Sequence, residues 1–149
     1  MMPKLQFSIV LQANPDQLVN IATNYKNLSK YLPKQIQSVK IIQQDDNGVV
    51  TEEKIIFKTI MKSTIIQQSL HQRISDNETF MKILIGPAKG TSVRTLYEKV
   101  DNGTRVMVDV DVKLGLKFKV FYPIIKKEYK RFLMGILFKM NTDGLNKTI

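Results

Sequence analysis

The feature that most constrains this chain is a run of alternating apolar and polar residues at positions 106–116. Its apolar members are four valines and two leucines, and its polar members include Asp109, Asp111 and Lys113. A period of two is typical of a β-strand that buries one face and leaves the other in water. The chain must therefore supply a second apolar layer to cover the buried face.

Six further strands precede this run. They are predicted at residues 4–12, 39–44, 49–61, 64–74, 80–85 and 91–100. Asn47-Gly48 and Asn102-Gly103 are strong hairpin signals, because asparagine and glycine readily adopt positive φ. The turn near residues 62–63 carries no comparable signal. Strands joined by short hairpins predict an antiparallel meander.

A short helical pair is predicted after the first strand. Asn14 is a good N-cap, Pro15 suits the first helical position, and Gln17 completes a capping box. A second helical turn is predicted over residues 28–32, and Pro33 ends it because the residue before proline is disfavoured in a helix.

One long helix follows the last strand. It is predicted to begin at Pro123 and to run to about Thr142, with Gly144 beyond its end. At 100° per residue its apolar stripe consists of Ile125, Tyr129, Phe132, Leu133, Ile136 and Met140. We therefore predict a single α+β domain over residues 1–149, with a curved antiparallel sheet of about seven strands around the C-terminal helix.

The opposite side of this helix combines basic and apolar residues. Its members of interest are Lys127, Lys130, Arg131, Met134 and Phe138. The net charge of the chain is +10, and residues 113–139 hold eight lysines and arginines against one glutamate. One interpretation is that the first strand or the helical pair covers the apolar members. The other is a surface that docks on an anionic membrane, on RNA or ribosomes, or on an acidic protein.

The composition excludes several kinds of site. Cysteine is absent, so disulfides, thiolate metal sites and cysteine nucleophiles are impossible, and no metal or cofactor is expected. No apolar run is long enough to span a bilayer, and we expect a cytoplasmic protein.

The polar residues give little sign of catalysis. His71 is the only histidine, and it is predicted to face outward with Ser69 while the apolar residues of its strand face inward. In the other register, these two side chains would line a pocket and could transfer protons. Asp109 and Asp111 are predicted to face solvent and to pair across strands with Arg94 or a lysine. We therefore assign no catalytic residue.

The chain resembles the START-like (SRPBCC, helix-grip) superfamily, and most of all its polyketide cyclase/dehydrase and coenzyme-Q-binding branches. Three stretches carry the resemblance: residues 25–33 (YKNLSKYLP), residues 86–90 (GPAKG) and residues 103–106 (GTRV). The resemblance implies a pocket between the sheet and the C-terminal helix for lipids, isoprenoids, quinones or polyketides. It implies no universal catalytic residue.

Our leading hypothesis is therefore binding or carriage of a hydrophobic small molecule. The predicted lining residues are Phe57, Met61, Gln68, Leu70, Ile83, Tyr97, Val108, Val110, Phe132 and Ile136. Most are apolar, and Gln68 and Tyr97 would supply the few polar contacts that orient a ligand. The alternatives are a cyclase- or dehydrase-type enzyme, and a basic module that binds RNA or a membrane surface.

Overall fold

The computed structural model describes residues 4–31, 36–56, 64–115, 119–120 and 122–146. The elements are β1 (Lys4–Leu11), α1 (Pro15–Ala22), a 3₁₀ helix (Tyr25–Tyr31), β2 (Ile36–Asp45), β3 (Gly48–Ile56), β4 (Thr64–Ser75), β5 (Glu78–Ile85), β6 (Ser92–Val100), β7 (Gly103–Asp111) and α2 (Tyr122–Asn146). The predicted α+β class and element order are confirmed. The predicted turn at residues 62–63 lies outside the described residues.

The seven strands form one antiparallel sheet in the order β1-β7-β6-β5-β4-β3-β2. The chain meanders from β2 to β7, and β1 pairs with β7 at the far edge. In that pair Leu5 lies opposite Val110 and Phe7 lies opposite Val108. Direct partners share a face of the sheet, so both strands present their apolar residues on the same side. We call this side the inner face.

β7 ends earlier than predicted, at Asp111 rather than near residue 116. Beyond this end, the side chain of Thr91 bonds to the backbone of Lys113. Its hydroxyl donates to the Lys113 carbonyl at 3.0 Å and accepts from the Lys113 N–H at 2.9 Å. β2 also begins earlier than predicted, at Ile36 rather than at residue 39.

α2 is longer than predicted, and Gly144 lies within it rather than beyond its end. Gly144 is buried, and a Cβ at this position would lie 3.1 Å from the Cβ of Ala13. The glycine therefore allows α2 to pack closely against the start of α1 instead of ending the helix.

The main core lies between α1, α2 and one half of the sheet. α1 begins as predicted, since the backbone N–H of Asn14 donates to the Gln17 side chain at 2.9 Å. Leu18 and Val19 of α1 are fully buried. The buried cluster consists of Leu5, Leu11, Ala13, Leu18, Val19, Ile21, Tyr31, Val93, Tyr97, Val106, Val108, Val110, Val112, Leu137 and Met140.

α2 presents two different sides, as the helical periodicity predicts. Tyr129, Leu133 and Ile136 pack against the buried cluster, whereas Lys127 and Phe138 are exposed. Over the described residues, no helix is both long enough and apolar enough to cross a membrane.

Candidate ligand-binding site

The inner face of the sheet divides into two halves of different chemistry. The half formed by β1, β6 and β7 is apolar and belongs to the buried cluster. The half formed by β3 and β4 is largely polar. Val49, Ile55 and Ile83 are buried on this side, yet among the described residues they do not join the main cluster. The polar half is therefore where the continuous apolar packing stops.

Five residues of β3 and β4, which we call the polar cluster, share this part of the inner face. They are Thr51, Glu53, Gln67, Ser69 and His71. The strand register brings them together, because Thr51 pairs with Ser69, Glu53 pairs with Gln67, and His71 pairs with buried Val49. Thr51 and Ser69 are fully buried.

Glu53 is the most unusual member of the polar cluster, since it is a carboxyl group only 6% exposed. Burial raises its pKa from 4.5 to about 7, and interactions with Ser69, Thr51 and Gln67 offset part of this effect. Its Oε2 atom is buried without a hydrogen-bond partner among the described residues. A buried polar atom without a partner is rare in folded proteins and calls for an explanation.

His71 is held by contacts on two sides. Its Nε2 lies 2.8 Å from the hydroxyl oxygen of Thr51. The ring of Tyr25, from the 3₁₀ helix, packs on it with the ring centroids 5.1 Å apart. Burial lowers the pKa of His71 from 6.5 to about 4, so the ring is neutral at pH 7.

α2 places tyrosines over this face. Burial raises the pKa of Tyr129, and the charge of Glu53 raises it further, which places the two groups within electrostatic range of each other. Tyr122 lies two turns earlier on the same side of α2, and its hydroxyl is also buried without a partner in the described part of the chain. Both unpartnered polar atoms thus belong to elements that bound the inner face.

The polar cluster is suited to hold a hydrogen-bonding group and to transfer a proton. Glu53 is close to half ionised at neutral pH, which suits both acid and base roles. Neutral His71 can accept or donate according to its tautomer. No group of three or more histidine, aspartate or glutamate residues in the described ranges is placed to hold a metal ion.

The structure describes eight of the ten predicted lining residues. Ile83, Tyr97, Val108 and Val110 are buried on the inner face, and their role in ligand binding stays a prediction. Ile136 packs against the core from α2, and Phe132 is partly buried beside Tyr129, with the ring centroids 6.2 Å apart. The predicted positions Phe57 and Met61 lie outside the described residues.

The predicted orientation of β4 is wrong. Gln68 and Leu70 lie on the outer face, where Gln68 donates to Glu52 at 3.1 Å and Leu70 pairs with Lys82. His71 and Ser69, predicted to face outward, lie on the inner face. Neither Gln68 nor Leu70 can therefore line an inner-face pocket.

A β-bulge explains this error. A regular hairpin in which Ser75 pairs with Glu78 would place Leu70 opposite Ile83, on the inner face. The register shifts by one residue between Arg73 and Ser75, so His71 instead lies opposite Met81. An extra residue in one strand exchanges the two faces beyond it, and the sequence carries no clear signal for it.

The sequence pattern did not identify Glu53 as a site residue for a related reason. Glu52 and Glu53 are adjacent, so one must face inward and the other outward, and composition does not distinguish them. The burial of Glu53 and the pairing of β3 with β4 show that Glu53 is the inner residue.

The two aspartates of β7 are placed as predicted, on the outer face. Asp109 lies opposite Arg94, and Asp111 lies opposite Lys4 at the sheet edge. Arg94 forms its ion pair with Glu78 rather than with Asp109.

The basic side of α2 is open in the structure. Lys127, Lys130 and Arg131 are exposed or partly exposed, Phe138 is 52% exposed, and Met134 is partly buried. Lys130 also lies 5.9 Å from the centre of the Phe7 ring. The helical pair and β1 therefore leave Phe138 uncovered.

Solved structures match this chain over almost its full length. It superposes on the Zhui aromatase/cyclase from Streptomyces sp. R1128 with a TM-score of 0.83, at 10% identity, over 100% of this chain and 97% of that one. It also superposes on a START superfamily protein from Mycobacterium smegmatis with a TM-score of 0.75, at 13% identity, over 96% and 97% of the two chains. This chain has the START-like, helix-grip fold. A protein from Thermus thermophilus gives a TM-score of 0.82 at 13% identity, over 99% and 100% of the two chains.

Sequence comparison adds nothing to this assignment. No protein-family model matches the chain, and no curated protein matches it. The START-like fold is thus recognised through its architecture. Identities this low support the fold alone, so the function must be argued from the residues of the site.

Proposed function

We propose that this START-like protein binds a hydrophobic small molecule that carries a polar group, between the inner face of the sheet and α2. The observation that carries the proposal is Glu53, whose buried Oε2 has no partner among the described residues, beside a continuous apolar surface. Ligand sites combine mostly apolar walls with a few placed polar groups. The division of the inner face into an apolar and a polar half provides both.

The geometry of α2 supports the same proposal. Among the described elements, its backbone packs closely on α1, the 3₁₀ helix and β1 rather than on the middle strands of the sheet. Tyr129 and Ile136 nevertheless face inward. A helix that is anchored at the sides and stands off the middle of a curved sheet leaves room for a molecule beneath it.

A titration with N-phenyl-1-naphthylamine, a neutral probe that fluoresces in apolar surroundings, tests this proposal. We expect a saturable increase in fluorescence with one site per chain, reversed by long-chain alcohols or quinones. Ile136→Trp should weaken binding because it adds bulk on the inner side of α2. Gly135→Trp is the matched control, since nothing lies within 4 Å of a Cβ at Gly135. Fluorescence that does not saturate, or that responds equally to both substitutions, would contradict the proposal.

An enzymatic role of the cyclase or dehydrase type is the second candidate. It requires an acid or base on the inner face, and Glu53 and His71 are such groups. Exchange of the α-hydrogens of 2-tetralone for deuterium, followed by NMR, would detect proton transfer. Loss of catalysed exchange in Glu53→Gln would support the enzyme. Exchange at the uncatalysed rate in the unsubstituted protein would argue against it.

The basic side of α2 supports a further proposal, docking on an anionic membrane surface. Phe138 is 52% exposed and Ile124 is 49% exposed on the side that carries Lys127 and Arg131. Apolar residues among cations fit the interface of acidic lipids, where the rings enter the headgroup region and the cations meet phosphates.

Vesicle flotation tests this docking. Binding should require phosphatidylserine and weaken with salt, and Phe138→Ser should reduce it. Ile74→Ser is a matched control, since Ile74 is 50% exposed on the outer face of the sheet. Equal binding to neutral vesicles, or binding to RNA alone, would exclude the membrane as the partner.

A further inference from the structure

The described groups around the Glu53 carboxylate are hydrogen-bond donors. The hydroxyls of Thr51 and Ser69 and the amide of Gln67 all favour its ionised form. Gln67 Nε2 also donates to Ser69 Oγ at 3.3 Å, which leaves the hydroxyl hydrogen of Ser69 available for Glu53. His71 Nε2 lies 2.8 Å from Thr51 Oγ1. When His71 carries its proton on Nε2, it donates to this oxygen and leaves the hydroxyl hydrogen of Thr51 available for Glu53. Two short chains of donors thus converge on one carboxylate.

The surrounding donors make the Glu53 carboxylate a hydrogen-bond acceptor, and one of its two oxygens accepts no hydrogen bond from the described residues. Oε2 is buried and unpartnered in the described structure, although Thr51, Ser69 and Gln67 all favour the ionised form of the same carboxyl group. An acceptor left empty in the interior costs free energy, and a bound molecule that donates a hydrogen bond recovers it.

We propose that the ligand is an apolar molecule that ends in a hydroxyl group, and that this hydroxyl donates its hydrogen bond to Glu53 Oε2. The proposal rests on the small-molecule binding function proposed above and specifies the chemistry of its polar end.

The charges around the site favour a hydroxyl over the other common polar ends. A carboxylate or phosphate would meet the negative charge of Glu53. A cationic amine would meet Arg73, which lies on the same face of β4 as His71, and removing an ammonium group from water costs more free energy than removing a neutral hydroxyl. The remaining titratable groups that face the cluster, His71, Tyr25 and Tyr129, are neutral at pH 7 and place no charge there. A carbonyl or ether oxygen has no hydrogen to give to the ionised carboxylate, so it can bind only the protonated form of Glu53 and should bind more weakly as the pH rises above about 7.

Isothermal titration with three ring compounds of similar size tests the proposal at pH 8, where Glu53 is mostly ionised. 2-Naphthol carries a hydroxyl donor, 2-methoxynaphthalene carries an oxygen that only accepts, and 2-methylnaphthalene carries no polar group. We expect 2-naphthol to bind about tenfold or more tightly than the other two, which corresponds to one hydrogen bond to a charged group.

Substitutions assign the effect to Glu53. Glu53→Leu should remove the preference for 2-naphthol and leave binding of 2-methylnaphthalene unchanged or tighter. Glu53→Gln keeps an acceptor without the charge, so it should lose only part of the preference. Glu52→Leu is the matched control, because Glu52 is the adjacent residue on the outer face, where it accepts from Gln68.

The outcomes separate the two proposals. Equal binding of all three compounds, or a preference that survives Glu53→Leu, would overturn the hydroxyl assignment and leave the binding function standing. Failure of all three compounds and of N-phenyl-1-naphthylamine to bind would overturn both.

Discussion

The side chains of Thr51 and His71 join β3 to β4 on the inner face, with Thr51 Oγ1 2.8 Å from His71 Nε2. Thr51 is fully buried, so this contact is shielded from water. It orients the only histidine of the chain and, through the Thr51 hydroxyl, connects the ring to Glu53. The polar cluster therefore behaves as a unit, and several of the following predictions depend on this.

Thr51→Val should destabilise the protein by about 1–3 kcal/mol, because it keeps the shape of the side chain but leaves His71 Nε2 without its partner. It should also raise the pKa of Glu53 above its present value of about 7, since a group that favours the ionised form is lost. Urea unfolding and NMR titration of the glutamate side chains would measure the two effects. Thr64→Val, at an exposed position of β4, should change stability by less than about 0.5 kcal/mol.

Glu53→Gln and His71→Gln should shift the pH dependence of stability in opposite directions. The pKa of Glu53 is raised, so its contribution is present below pH 4.5 and is lost as the pH rises to about 7. The pKa of His71 is lowered, so its contribution is present above pH 6.5 and is lost as the pH falls to about 4. The two trends oppose each other between pH 4.5 and 6.5.

Urea unfolding at three pH values across this window would test the opposition. Relative to the unsubstituted protein, Glu53→Gln should become more stable as the pH rises, and His71→Gln should become more stable as the pH falls. Each slope should approach about 1.4 kcal/mol per pH unit at its steepest. Slopes of the same sign would show that the two groups are not buried as the structure places them.

Gly103→Ala should destabilise the protein by several kcal/mol. Gly103 has φ 149°, and a Cβ there would lie 2.0 Å from the backbone oxygen of Leu11. The close approach of two backbones allows β1 to pair with β7, so an added methyl group must separate them. Gly135→Ala is the control, because its Cβ meets nothing within 4 Å. That substitution should stabilise α2 by up to about 1 kcal/mol, and thermal unfolding would compare the two.

Tyr31→Phe should loosen the end of α2. The hydroxyl of Tyr31 in the 3₁₀ helix donates to Asp143 Oδ2, while the ring belongs to the buried cluster. Removing the hydroxyl keeps the ring, so the loss should be about 1–2 kcal/mol and local. Amide hydrogen exchange should quicken near residues 140–146 and stay unchanged in β6 and β7. Unchanged exchange at both places would show that the hydrogen bond does not hold the helix end.

The sequence alone was sufficient for the architecture, because strict alternation in β7 and a single long amphipathic helix admit few arrangements. The sequence was insufficient to predict which face of β4 is turned toward the interior. That strand carries apolar residues on one side and polar residues on the other, and the polar side is the buried one. Ile66 and Ile74 are about half exposed on the outer face. The bulge between Arg73 and Ser75 determines which face of β4 is buried, and it depends on the pairing of β4 with β5.

The sequence predicted Ser69 and His71 as pocket-lining residues only in the alternative register of β4, and it did not predict Glu53. A buried glutamate contradicts the usual separation of charged and apolar residues, and such exceptions concentrate where proteins bind or react. Tyr97, Val108 and Val110 were assigned to the correct face because β6 and β7 alternate without interruption. Ile83 also lies on the inner face, although the pairing of β5 with β4 shifts in register beside it.

The 3₁₀ helix Tyr25–Tyr31 contacts both the polar cluster and the C-terminal end of α2. Tyr25 packs on His71 at one end, and Tyr31 is bonded to Asp143 near the end of α2 at the other. The segment is seven residues long and spans about 14 Å, at about 2 Å per residue. We therefore expect a molecule that displaces Tyr25 to disturb the hydrogen bond between Tyr31 and Asp143 as well. A fluorophore attached near the end of α2 would report occupancy of the inner face without touching it.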